Sequence, residues 1–148
     1  MTIARARLWH LPHLARILWA FTRATPWLPR VRSPRDDLRA LAWVTRRGWV
    51  RIVRDRSGIA AFIVRDGSRV HALYVAPARR GQGYGGALLA EAKGAVDALD
   101  LWVLERNVAA RAFYAAQGFR EAARGQGMGN DEGLPDILMI WHEREEVA

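Results

Sequence analysis

LYVAPARRGQGYGG, residues 73–86, passes within a few positions from a β-rich run through a proline into a cluster of glycines. Pro77 cannot donate to a strand ladder, so it ends the strand that carries Leu73 and Val75. Beyond Gly86, Leu88, Leu89, Ala92, Ala95, Val96 and Leu99 recur at helical spacing and predict a helix near 83–98. The glycines therefore fall at a helix start, where N–H groups have no intrahelical acceptor and the helix dipole adds positive potential. Glycine lets such a backbone press against a phosphate without a Cβ in the way.

The same chain holds a near-twin. RGQGYG at 80–85 is echoed by RGQGMG at 124–129. The second copy is followed by Asn130, Asp131 and Glu132 and then by a strand, so it has no helix to aim at an anion and its acids would repel one. It reads as a surface loop, and the first copy as the phosphate loop.

Two nucleotide-binding patterns compete for that first copy. A Walker A loop needs Lys and Ser/Thr after Gly86, where Ala87 and Leu88 stand. The dinucleotide fingerprint G-x-G-x-x-G is formally present at Gly81, Gly83 and Gly86, with Glu105 near the place of a ribose-binding acid. Residues 76–80, Pro77 among them, separate Val75 from Gly81, however, and an antiparallel hairpin precedes the loop where a βαβ series should open.

The rest of the chain supplies the order of elements. IARARLW (3–9) predicts a first strand, and Leu11, Leu14, Leu18 and Phe21 predict a helix near 11–23 with Pro12 in its first turn. Ser33 is placed as the N-cap of a second helix striped by Leu38, Leu41, Ala42 and Thr45 and closed by Gly48. WVRIVRD (49–55), IAAFIVRD (59–66) and SRVHALYVA (68–76) predict an antiparallel meander, the Asp66-Gly67 pair marking a hairpin. LWVLE (101–105) reads as a short buried strand. Asn107 caps a helix that Gly118 closes, and 118–125 and 137–143 read as the last two strands.

The loop, its following helix and this order together resemble the GNAT acetyltransferase superfamily. Arg80, Gly83 and Gly85 form the pattern R-x-x-G-x-G directly after LYVAPAR, and NVAARAFYAAQGF (107–119) resembles that family's Asn/Tyr segment. The similarity covers nearly the whole chain. It implies one α/β domain over 1–148, of α+β type. Its mixed, mostly antiparallel seven-stranded sheet has splayed parallel fourth and fifth strands and four helices.

The resemblance also implies acetyl-CoA as cofactor and an amine of a small molecule, amino acid or peptide as acceptor. By that likeness Leu73 and Val75 would pair with the pantetheine arm. Gly81, Gln82, Gly83, Tyr84, Gly85 and Gly86 would hold the pyrophosphate, with Arg80 adding charge. Asn107 and Tyr114, two helical turns apart, would share a face toward the thioester. A phenol near pKa ~10 can protonate a thiolate whose acid has pKa ~8.5, which suits Tyr114 as general acid. His71 is the candidate base, with a water chain as its rival. No cysteine is present to carry an acyl group, which favours direct attack in a ternary complex.

Composition bounds the alternatives. With 148 residues, 51% hydrophobic, the chain can bury a single core. No cysteine also means no disulfide and no thiolate metal site, and His10, His13 and His142 show no metal partners. Apolar runs are too short to span a membrane. The Arg-rich first 35 residues faintly resemble a transit peptide, but they are poor in serine and carry a helical stripe, so they belong to the domain. The expected location is the cytoplasm.

Residues 1–58 carry 13 arginines against three aspartates, net +10, while residues 59–148 are net −2. Such asymmetry suggests an anionic partner. A second reading follows from it: a non-catalytic basic module for nucleic acid or a membrane surface. Nucleic acid is disfavoured by the lack of base-stacking motifs and by arginines dispersed over several elements, and a homodimer is left open. The seven tryptophans read mostly as core or cleft wall; Trp9, Trp19, Trp27 and Trp43 fall in the segment that, by resemblance, covers the acceptor.

Overall fold

The computed structural model describes residues 1–144. In chain order they form β1 (Thr2–Arg5), a 3-10 turn (Leu8–His10), α1 (Leu11–Arg23), α2 (Pro34–Arg46), β2 (Val50–Asp55), β3 (Gly58–Asp66) and β4 (Arg69–Val75). A second 3-10 turn (Pro77–Arg79) leads to α3 (Tyr84–Ala95), β5 (Ala98–Leu104), α4 (Val108–Ala116), β6 (Arg120–Gly125) and β7 (Asp136–His142). The seven strands lie in the order β1-β2-β3-β4-β5-β7-β6, a mixed sheet in which β4 and β5 are parallel neighbours. Chain contacts group into two compact units, residues Met1–Arg65 with Ala72–Leu88, and Asp66–His71 with Leu89 onward.

In the first unit, α1 and α2 lay their apolar faces on one side of the meander. Leu14, Ala15, Ile17 and Leu41 pack with Val50, Ile52, Phe62 and Val64. Alternation explains the strand side: every second residue of β2 and β3 faces the helices. Ser33 caps α2 as expected, its hydroxyl accepting from the Asp36 N–H (3.2 Å). Trp19 donates from Nε1 to Asp37 (2.9 Å), tying the end of α1 to the start of α2.

In the second unit, β5 and β7 are antiparallel with Leu99 opposite Trp141, Leu101 opposite Met139 and Val103 opposite Ile137. These six side chains are buried and form one apolar face. The alternate face carries Asp100 and Trp102. β4 enters this unit through Arg69, which stands opposite Asp100 and ion-pairs with it.

Several expectations need correction. The first strand stops at Arg5, because the Arg7 N–H bonds to His10 Nδ1 (2.9 Å) and the His10 N–H to the Arg7 carbonyl (2.9 Å), which folds 8–10 into a turn. The third helix ends at Ala95, and residues 98–100 belong to β5. A helical reading of Val96 and Leu99 fails there because the Leu99, Leu101, Val103 alternation meets a complementary face on β7. Leu38 is 37% exposed; the buried stripe of α2 is Leu41 and Thr45. Of the tryptophans read as core or cleft wall, Trp141 is buried, Trp19 and Trp49 pack against the core and Trp102 lines a cleft, while Trp9 and Trp43 stand exposed.

The second glycine hexapeptide is more than a surface loop. Gly127 is buried at φ +87°, and a Cβ there would press on the Leu134 carbonyl at 2.5 Å. A Cβ on Gly125 would collide with the Asp136 carboxylate and the Trp102 ring. Asn130 fastens the loop, donating to the Leu134 carbonyl (2.8 Å) and to Asp136 (3.1 Å) and accepting from the Leu134 N–H (3.2 Å). Gly129, in contrast, has nothing near its missing side chain. Gly127→Ala should therefore cost about 1–3 kcal/mol of stability, and Gly129→Ala less than about 0.5 kcal/mol. Urea unfolding of the two variants checks this; equal midpoints would show that the loop tolerates a side chain at both positions.

Candidate active site

In the first unit, Leu73 and Val75 end β4 half-buried, and the 3-10 turn delivers an exposed Arg80 to the glycine loop. Gly81 (φ +76°) and Gly83 (φ +84°) take left-handed conformations that a side chain would strain, with open space around both. Gln82 reaches back to the Ala78 carbonyl (3.4 Å). The Ala87 N–H bonds to the Gly83 carbonyl (3.0 Å), so the first turn of α3 starts at Tyr84 with Gly85 buried and Gly86 half-buried beneath it. The N–H groups of that turn lack intrahelical acceptors and point out of the helix end. Arg80 forms no ion pair among the described residues. An exposed guanidinium beside uncovered amides fits an anionic group such as a pyrophosphate.

What holds the loop is a residue the sequence reading passed over. Asp55, at the end of β2, accepts from the Tyr84 hydroxyl (2.8 Å) and the Ser57 N–H (2.8 Å) and ion-pairs with Arg79 (3.0 Å). The Tyr84 side chain is thus spent on the scaffold, and only its backbone is left for a ligand. The hydrogen bond from Tyr84 foremost, with the Ser57 N–H and Arg79 adding to it, holds the Asp55 carboxyl below its ordinary range despite partial burial. The same bond, with some burial, pushes the Tyr84 phenol up. An Asx-type turn at Asp55-Arg56-Ser57 was the available signal; the 29-residue link to Tyr84 left none.

In the second unit, Asn107 is the N-cap of α4, its Oδ1 accepting from the Ala110 N–H (3.2 Å). Tyr114 lies two turns on and is 8% exposed, its ring edge-on to Phe113 (5.3 Å) and Phe119 (5.5 Å). Its carbonyl accepts from the Phe119 N–H (3.0 Å), which sets the turn after α4. Two rings therefore fix the phenol, and the Asn107 amide oxygen is committed to the helix start. His71 is exposed on β4. It lines a cleft of about 460 Å³ with Arg69, Trp102, Asn130, Asp136 and the second glycine loop. That loop, read as a surface loop, is a wall of this cleft, and steric need at Gly125 and Gly127 holds it there. His10 is structural, as read: buried, accepting from Arg7, and held below its usual pKa by burial first and then by the charges of Arg54, His13 and Arg7. No cluster of metal-ligating side chains occurs among the described residues.

A glycine loop opens a helix after the fourth strand of this sheet, and an Asn-capped helix carrying Tyr114 follows the fifth. The family model described as "Acetyltransferase (GNAT) domain" matches residues 39–121. The chain belongs to the GNAT acetyltransferase family and is a GNAT-type N-acetyltransferase. Among solved structures, the Escherichia coli ribosomal-protein-S18-alanine N-acetyltransferase is 25% identical, covering 95% of this chain and 92% of its own, with a TM-score of 0.69. A GNAT-family acetyltransferase from Bacillus cereus is 17% identical over 96% of both chains at a TM-score of 0.76. Chaetomium thermophilum Naa20, solved with a bisubstrate analogue, is 20% identical over 99% of this chain and 89% of its own at 0.72. No curated protein sequence matches the chain significantly.

A carboxyl whose folded pKa lies below its unfolded value, near 3.9, adds stability above that value and loses it as pH falls through the folded one. Asp55→Asn should therefore flatten the acid limb of the stability curve below about pH 5. Thermal melts of parent and variant between about pH 3 and 7 test it; parallel curves would mean that Asp55 holds nothing.

Proposed function

We propose that residues 1–148 act as one acetyltransferase domain that moves an acetyl group from acetyl-CoA to a primary amine. The observation that carries this is the pair of open, left-handed glycines Gly81 and Gly83 beside an exposed Arg80, just before α3, in a chain of this family. Acetyl-CoA supplies a thioester whose carbonyl carbon an amine attacks, and a CoA thiolate leaves. The loop amides and Arg80 bind the pyrophosphate, and the backbone of Leu73 and Val75 pairs with the pantetheine amides. A β4 N–H meets the developing oxyanion. His71 takes the proton that the attacking amine sheds. Tyr114 gives its proton to the departing thiolate, and its fixed ring spares the cost of orienting it. Asn107 supports this face by starting α4 in the right place. Since no cysteine can store the acetyl group, attack is direct in a ternary complex.

For the acceptor, we favour an amine on a peptide or amino acid in the cytoplasm. Structural relatives include a ribosomal-protein-alanine N-acetyltransferase and Naa20, and the His71 cleft offers an indole and the Asp136 carboxylate to a cationic group. Thiol release across peptides, amino acids and simple amines identifies it; a response to none of them overturns the choice.

Isothermal titration with acetyl-CoA tests the cofactor site. Gly83→Val should weaken binding at least about tenfold, because about 1–3 kcal/mol of strain is relieved only by moving the loop. No acyl-CoA binding by the parent would end the proposal. Tyr114→Phe keeps both ring contacts, so acetyl-CoA affinity should stay within a few-fold while turnover falls about 10²-fold. His71→Ala should likewise lower turnover and spare cofactor affinity. Parental turnover in either variant removes that residue from its role.

A further inference from the structure

Charge divides between the two units more sharply than along the sequence. The first unit holds 16 arginines against three aspartates, net +13; the second is net −5. The cofactor loop accounts for Arg79 and Arg80 only. The rest of that excess lies on β1 to β3 and on α1, α2 and their loops, where one end of the helical layer also exposes large apolar side chains. Because Trp19 and Asp37 tie the end of α1 to the start of α2, the 3-10 turn before α1 packs beside the end of α2. Leu8 (43% exposed) and Trp9 (74%) thereby join Trp43 (51%) and the exposed Arg7, Arg46 and Arg47. No acidic residue occurs in Arg5–Trp9 or in Leu41–Arg51.

Exposed indole, leucine and arginine without a carboxylate is a surface that water serves poorly and that a bilayer interface serves well. Indoles settle at headgroup depth, and arginines pair with lipid phosphates. Single-stranded RNA fits less well. It needs bare aromatic faces for its bases, whereas the Arg47 guanidinium covers the Trp43 ring at 4.1 Å and Trp49 meets it edge-on at 5.2 Å. Leu8 offers a base nothing to bond. We propose that this end of the helical layer docks the enzyme on an anionic lipid bilayer, with Leu8 and Trp9 entering the headgroup region and Arg7, Arg46 and Arg47 meeting the phosphates. Among the described residues no helix is long and apolar enough to cross a membrane, and the attachment proposed is peripheral and reversible.

Cosedimentation with vesicles of phosphatidylcholine containing about one-third phosphatidylserine reads this directly, beside pure phosphatidylcholine vesicles and poly(U). The parent chain should sediment with anionic vesicles at ~0.1 M salt, release as salt screens the arginines, and ignore neutral vesicles. Arg46→Gln should weaken vesicle affinity about fivefold, and Trp9→Ala should weaken it further when combined with that change. Circular dichroism confirms that both variants fold. Failure of the folded parent to bind anionic vesicles overturns the proposal, as does equal binding to neutral ones. So does poly(U) displacing the chain at matched phosphate, or a dimer in sedimentation velocity that Trp9→Ala converts to monomer.

Discussion

The Asp55 carboxylate joins three pieces of backbone around the first glycine loop. It receives the Tyr84 hydroxyl from the first turn of α3, the guanidinium of Arg79 from the turn before the glycines, and the Ser57 N–H from its own hairpin. Glycines at φ +76° and +84° make the intervening loop permissive, and a permissive loop has no shape of its own. Anchoring both its ends to one rigid strand terminus converts that freedom into a defined concavity of N–H groups. Preorganisation of this kind is what an anion site requires, since amides that must be gathered at binding cost affinity.

Much of this was legible before any coordinates. Caps are local: Ser33 and Asn107 announce their helices through a side chain reaching three residues on, and both do so. The glycine loop is legible for the same reason, as a strand-breaking proline, glycines and a helical stripe follow within one short window. Asp55 was not, because a bond between Asp55 and Tyr84 leaves no mark in either neighbourhood. The run through Val96 and Leu99 misled because a short apolar run carries both periods, and the partner that selects the strand, Trp141 on β7, lies far along the chain. Trp9 and Trp43 are exposed for a related reason: hydrophobicity reports a preference for burial, and topology decides whether a partner exists.

The arginine excess illustrates the difference between composition and placement. A basic N-terminal half is compatible with a binding module and no catalysis, and the family assignment removes that exclusive choice. The charge itself is not thereby explained. The arginines that Asp55 and Asp100 pair with, Arg79 and Arg69, lie outside that half, and α1 and α2 keep theirs facing water. Long arginine stems also cover apolar surface, as Arg47 does over Trp43 and Trp49. Part of the charge is thus a covering for indoles that the two-helix layer leaves without a core.

The twin hexapeptides separate what a string encodes from what its surroundings make of it. Both copies present arginine, glycine, glutamine and glycine in one order, and both place a glycine at positive φ near the middle. Before α3 those glycines border open space, so no side chain covers the backbone amides there. Between β6 and β7 the missing Cβ of Gly125 is replaced by the Asp136 carboxylate, and that of Gly127 by the Leu134 carbonyl. There glycine serves internal packing, and what the loop offers a ligand is the wall it builds, with Asn130 and Asp136 on it. A glycine's role therefore follows from what fills the volume of its absent side chain: solvent in the first copy, protein in the second.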